Sequence, residues 1–117
     1  MAFKFEKLKV WEKAVDLSAE ISELVKTFPK DERYVLTSQI KRAADSISLN
    51  IAEGSTGQTT PEFKKFLSYS VRSAIEVVGC LHLAKKRKLI NDKDFVAFYN
   101  GLTELIKGIQ ALRNSLK

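Results

Sequence analysis

Cysteine and histidine each occur once in these 117 residues, as Cys80 and His82, and proline occurs twice, as Pro29 and Pro61. One cysteine permits no intrachain disulfide, so nothing points to an oxidising compartment and cytoplasmic residence is the default expectation. One histidine leaves any His-based metal site dependent on carboxylates or on Cys80 arriving from elsewhere, and no close metal-ligand spacing is visible. Cys80 and His82 lie two apart, about 200° around a helix and out of hydrogen-bond reach for a nucleophilic pair. A free cysteine in that setting reads as a small buried hydrophobe, and His82 as a surface or interface residue. No apolar run approaches the roughly 18 residues that a membrane span needs. The opening MAFKFEKLKV mixes Lys and Glu with single apolar residues, unlike the apolar stretch of a secretory signal. No Pro/Gly/Ser-rich linker separates two cores, so residues 1–117 are expected to form a single domain.

Phosphate-loop and carboxylate-metal signals are missing as well. The cluster GSTGQTT at 54–60 has two glycines but neither the Gly-Lys-Ser/Thr nor the preceding strand of a P-loop. A helix cap followed by an N-cap turn is the simpler reading. Glu53, Glu76 and Glu104 fall on different helices, and the Glu-x-x-His pairs of di-metal bundles are absent. Glu53 reads instead as a cap, or as the partner of a basic residue such as Arg72. The expectation is therefore a non-enzymatic protein with no catalytic residue, cofactor, metal or small-molecule substrate.

What the chain does have is helical periodicity in four segments. The first runs from about Lys9 to Thr27, with Trp11, Ala14, Ser18, Ile21, Val25 and Phe28 at steps of three and four. It stops before Pro29, since a residue preceding proline is pushed out of the helical region. The second runs from about Asp31 to Glu53 and ends at Gly54, which can take a left-handed cap conformation. Its core stripe is Leu36, Ile40, Ala44, Ile47 and Ile51, flanked by Gln39, Ala43, Ser46, Asn50 and Glu53. That flank is small in the middle and permits close helix approach. Leu49 lies opposite the core stripe, where a lone helix would prefer a charge, and so belongs to a second interface. The third segment begins with Thr60 as N-cap and Pro61 in the first turn.

In that third segment Phe63, Ser70, Val77 and Ala84 form one row of a seven-residue repeat, and Leu67, Ala74 and Leu81 form the other, which is bundle geometry. Phe66, Val71, Ile75 and Val78 widen its apolar arc beyond what one bundle core uses, which suggests subunit contacts. The fourth, capped by Asn91 or Asp92, carries Phe95, Phe98, Leu102, Leu105, Ile109, Leu112 and Leu116. Beside that stripe runs a row of Ala97, Gly101, Gly108, Ala111 and Ser115. A glycine inside a helix costs roughly 1 kcal/mol relative to alanine, so Gly101 and Gly108 call for a packing reason. Short connections favour antiparallel neighbours, and the predicted fold is an all-α, antiparallel up-down-up-down four-helix bundle.

The formal net charge of +6 is unevenly placed, with seven basic and two acidic residues between 61 and 90. A concentrated patch is a nucleic-acid signal more than a diffuse excess is. Lys85, Lys86, Arg87 and Lys88 are its densest part, with Lys64, Lys65 and Arg72 as further candidates. The same run also fits a helix C-terminus kept solvated by cations. Tyr69 lies near Lys65 and Arg72 and is open to base stacking or to the core, whereas Phe63, Phe66, Phe95 and Phe98 read as core.

The segment LTSQIKRAADSISLNIAEG at Leu36–Gly54, with its SIxxNIAEG ending, resembles the bacterial 23S ribosomal-RNA intervening-sequence protein family. The resemblance extends over FEKLKVWEKAVDL at Phe5–Leu17, FPKDERYVLTSQIKRAADSI at Phe28–Ile47 and EFKKFLSYS at Glu62–Ser70. It implies a small four-helix bundle, a ring-shaped homopentamer and a basic scaffold associated with RNA or DNA. In that family the loop after NIAEG is often basic, whereas Ser55, Thr56, Gln58, Thr59 and Thr60 here are uncharged, which weakens that loop as an RNA contact. Two functions compete at this point. One is an oligomeric scaffold that binds nucleic acid through its basic surface. The other is a protein-interaction module that uses Leu49 and the small-residue rows to bind a different protein without nucleic acid; in the scaffold, Leu49, Asn50, Glu53, Gly101 and Gly108 are the candidate subunit-interface residues.

Overall fold

The computed structural model describes residues 2–57 and 59–117, so Gln58 of the GSTGQTT cluster lies outside the described residues. Four helices follow one another, α1 (Lys9–Val25), α2 (Leu36–Ser55), α3 (Thr60–Lys86) and α4 (Asp92–Ser115). Single 3-10 turns at Lys4–Lys7 and Lys30–Glu32 precede α1 and α2, and the described residues contain no strand.

The ends of the helices differ in detail from the expectation. α1 stops at Val25, and the N–H groups of Thr27 and Phe28 then bond the carbonyls of Leu24 and Val25 at 3.0 Å each. This folds the buried Phe28 over the helix end before Pro29. α2 starts at Leu36, not near Asp31, because Val35 leaves the helical region at φ −119° and ψ −96°. The break leaves Tyr34 and Val35 exposed while Leu36 enters the core. The cap of α3 is Thr59 in place of Thr60, its Oγ1 accepting from the Glu62 N–H at 3.2 Å. Pro61 still falls in the first turn, where its missing donor is unneeded. At α4 the cap is Asn91, whose Oδ1 accepts from the Asp94 N–H at 2.7 Å.

Gly54 does not end α2 in a left-handed cap. It is buried inside the helix, which runs on to Ser55, and no described glycine has a positive φ. Its role is close approach: a Cβ added there would sit 2.5 Å from the Phe66 Cβ and 3.1 Å from the Phe63 ring. Across the same α2–α3 seam the buried Ser70 hydroxyl donates to the Ile47 carbonyl at 2.6 Å, and Ala43, Ala44 and Ala74 are buried small residues of these two helices.

Cross-contacts give the helix directions. Gln39 meets Glu76, Ile47 meets Ser70 and Gly54 meets Phe66, so α2 and α3 run antiparallel. His82 and Ser68 of α3 meet Phe95 and Arg113 of α4, again antiparallel. Val10 approaches Gly108, and Leu17 shares a groove with Gly101, which makes α1 antiparallel to α4. The product is a rod of 44 × 23 × 22 Å with one continuous apolar core. Ile21, Leu36, Ile40, Ile47, Ile51, Leu67, Leu81, Leu102 and Ile109 are its largest fully buried side chains. Among the described residues no helix is long and apolar enough to cross a membrane.

Candidate nucleic-acid interface

The basic run sits where α3 ends, and the backbone there is distinctive. Lys88 has φ 60°, and it is the one non-glycine residue with positive φ among those described. The Leu89 N–H bonds the Ala84 carbonyl at 2.8 Å and the Lys88 N–H bonds the Lys85 carbonyl at 3.0 Å. This is a Schellman ending with lysine in the place usually held by glycine. For an L-residue the left-handed conformation costs roughly 1 to 2 kcal/mol. Leu89 and Ile90 then turn into the core, fixing the lysines above them.

The four cations do not act alike. Arg87 donates from Nη1 to both Glu32 oxygens at 3.1 and 3.3 Å, tying the end of α3 to the turn before α2. The Glu32 side chain keeps 16% of its exposure and Arg87 42%, so this is a partly screened structural pair. Lys85, Lys86 and Lys88 fall on the other side and line a shallow depression with His82. Lys85 Nζ stands 4.5 Å from the centroid of the Phe95 ring. His82 packs edge-on against Phe95 at 5.1 Å and Tyr99 at 6.3 Å, and Tyr99 is 43% exposed. Three lysines thus border an aromatic group with a free edge, the pairing that single-stranded nucleic acids use for phosphate contact and stacking.

His82 and Tyr99 were not among the residues that the sequence singled out for this role. They lie on different helices, and only the α3–α4 register brings them together. Arg113 is another such case. It lines a polar groove with Arg72, Ser68 and Gln110, and its Nε donates to the Ser68 hydroxyl at 2.9 Å. Arg72 is exposed and makes no ion pair among the described residues, so the suggested Glu53–Arg72 pair is not formed. Fourteen residues separate Arg72 from Lys86, about 21 Å of helix. Lys65 lies 5.9 Å from the Tyr69 ring, and Lys64 is half-buried. The secondary candidates therefore form a second basic region, apart from the first.

The interface candidates scatter over two sides of the bundle. Leu49 is 62% exposed on α2, as its position opposite the stripe suggested. Asn50 is half-buried, with its Nδ2 donating to the Ser46 carbonyl at 2.8 Å. Glu53 is exposed. Gly108 has its packing reason within the subunit, since a Cβ there would stand 3.1 Å from Val10 Cγ1, whereas Gly101 faces open space.

The groups weighed in the sequence as nucleophile or metal ligands lie as follows. Burial pushes the Cys80 thiol above its ordinary value, and the nearby Glu76 carboxylate adds to the rise, so the reactive thiolate is disfavoured. Glu53, Glu76 and Glu104 are all exposed on the outside of the bundle. No three His, Cys, Asp or Glu side chains among the described residues group as metal ligands.

A model of the 23S rRNA-intervening sequence protein family matches residues 6–111. A solved structure of a protein of unknown function from the S23 ribosomal protein family of Bacteroides thetaiotaomicron superposes with a TM-score of 0.84. It is 24% identical, and the match covers 91% of this chain and 99% of that one, a likeness of fold. No curated protein matches.

Proposed function

The chain belongs to the 23S rRNA-intervening sequence protein family, and from that premise we propose that it is a non-enzymatic, oligomeric helical scaffold binding RNA or other nucleic acid through its basic surface. The binding face is the end of α3, with Lys85, Lys86 and Lys88 contacting phosphates and the His82–Tyr99 edge stacking a base. The observation that carries this reading is Lys88 itself. A solvated helix end needs no lysine at φ 60°, where glycine costs less, and Lys88 there lines the same depression as Lys85 and Lys86. Strain of this kind collects at functional positions. Arg87, committed to Glu32, contributes to stability more than to binding. The family resemblance favours a ring of five, which would repeat the patch around an axis and multiply weak contacts. Cytoplasmic residence fits a partner of this kind.

The test is binding to RNA, DNA and a charge-matched polyanion across a salt series. Phosphate contacts must weaken as salt rises. Replacing Lys85, Lys86 and Lys88 by glutamine should lower affinity for unrelated sequences about equally and flatten the salt slope. Arg87→Gln should change the slope less. Salt-insensitive binding, or glutamine variants that bind as well as the parent, would sink the proposal. The second reading, a protein-interaction module without nucleic acid, is favoured by the exposure of Leu49 and would then lead.

A further inference from the structure

The seam between α1 and α4 is the loosest in the bundle. It opens into a groove floored by Leu17, Leu24, Leu89, Phe98 and Gly101. Its charged lining is acidic, Glu20 and Glu23 from α1 and Asp94 from α4, with Glu23 also paired to the exposed Lys26. A shallower continuation adds Asp16 and Glu104, with Lys13 its one basic side chain. An acid-rimmed apolar trough on a chain of net charge +6 is a local reversal of sign.

The outer stripe of α3 has the complementary make-up. Lys65, Arg72, Ile75, Gly79 and Leu83 recur at helical spacing on its solvent side, with Ile75 56% and Leu83 44% exposed. Glu76 is the one acid beside them, and it accepts from Gln39 Nε2 at 3.5 Å. Two mid-helix glycines mark the two surfaces. A Cβ on Gly79 or on Gly101 would meet nothing within 4 Å, so neither glycine is explained by packing within the subunit. Each gives up roughly 1 kcal/mol of helix propensity relative to alanine. Glycine on both members of a helix pair allows the backbones to approach closely, and a groove facing a ridge makes use of it.

We propose that the α1–α4 groove receives the outer α3 stripe of a second copy of this chain. The inference rests on the oligomeric reading above and supplies its interface. Because groove and stripe are different surfaces, the contact is head to tail, and it closes into a ring when the rotation per step permits. Glu20 and Glu23 face Lys65 and Arg72 of the neighbour, while Ile75 and Leu83 cover the apolar floor. Lys86 continues the stripe one turn beyond Leu83, whereas Lys85 and Lys88 lie off it and stay open to phosphate.

Charge reversal tests the pairing, with assembled mass read by sedimentation velocity and helicity by circular dichroism. E20K/E23K should raise the dissociation constant about 10- to 100-fold, and K65E/R72E should do the same. The chain carrying all four substitutions should recover assembly, since the two reversals restore opposite signs. Gly101→Leu, placed in open space, should fold normally and block the groove, which keeps the test informative if a charge variant misfolds. Wild-type monomers at micromolar concentration would overturn both the oligomer reading and this interface. Wild-type oligomers with unaffected reversal variants would overturn the interface alone. So would a four-substitution chain that stays dissociated while each pair dissociates alone.

Discussion

The α2–α3 and α1–α4 seams run along the same bundle and are built by opposite rules. Across α2–α3, Gly54 lets the two backbones draw together against Phe66, and the Ser70 hydroxyl closes on the Ile47 carbonyl. Across α1–α4 Gly108 meets Val10 closely, Gly101 meets nothing, and acidic side chains line the gap beside it. The same residue type therefore has two meanings. Gly54 is small because the chain itself needs the space, and Gly101 is small where the chain needs nothing. Similar helical stripes build both seams, and the difference lies in which side chains find partners inside one subunit.

The contrast can be broken most strongly at Ile47. Ile47→Ala should destabilise by roughly 2 to 5 kcal/mol in denaturant unfolding, since the tight seam cannot collapse on the cavity. Leu24→Ala, on the half-buried groove floor, should cost less than about half as much. Equal losses would mean that the seams are packed alike. Gly54→Ala comes next, at about 1 to 3 kcal/mol, because the Phe66 Cβ that it strikes moves only with the backbone of α3.

Glycine substitution in the loose seam should have the opposite sign. In a chain held monomeric by E20K/E23K, Gly101→Ala should stabilise by up to about 1 kcal/mol. A loss there would reveal contacts that the subunit does not show. Lys88→Gly should also stabilise, by about 0.5 to 1 kcal/mol, while weakening nucleic-acid binding. A variant more stable and equally tight in binding would remove the functional reason for the strained lysine. The smallest effect concerns Cys80. Its neutral thiol is favoured in the folded state, so that contribution is complete below the ordinary thiol value of 9.0 and fades as pH rises through the higher folded value. Native protein should accordingly be alkylated far more slowly than unfolded chain, and matched rates would show that the site opens freely.

Much of the fold was legible from spacing. Leu36, Ile40, Ile47 and Ile51 are buried as their period implied, and so are Phe63, Leu67, Ala74, Val77 and Leu81. Periodicity reports which face of a helix is apolar, and burial follows from it directly. It carries no information on the register between helices. That is why the meeting of His82 with Tyr99 and of Arg72 with Arg113 was not visible, although each residue was in plain view. Gly54 was misread for a related reason. A glycine near the end of an apolar stripe fits a cap, and only the position of Phe66 on another helix shows that close approach is its task. The break at Val35 escaped because nothing in Tyr34-Val35 forbids a helix, and the turn is held from far along the chain by Arg87 on Glu32.

The left-handed step at Lys88 also bears on how this chain can change over generations. Only five residues, Arg87 to Asn91, join α3 to α4, and within them Leu89 and Ile90 are anchored in the core while Asn91 starts the next helix. One residue inserted or deleted there would move Lys88 off its left-handed position, shift Tyr99 relative to His82, Lys85 and Lys86, and unseat the cap at once. The four residues joining α2 to α3 are uncharged and hold no such array. Length variation between relatives should therefore collect at that end of the rod, leaving the lysine-bearing turn constant in length even where its sequence drifts.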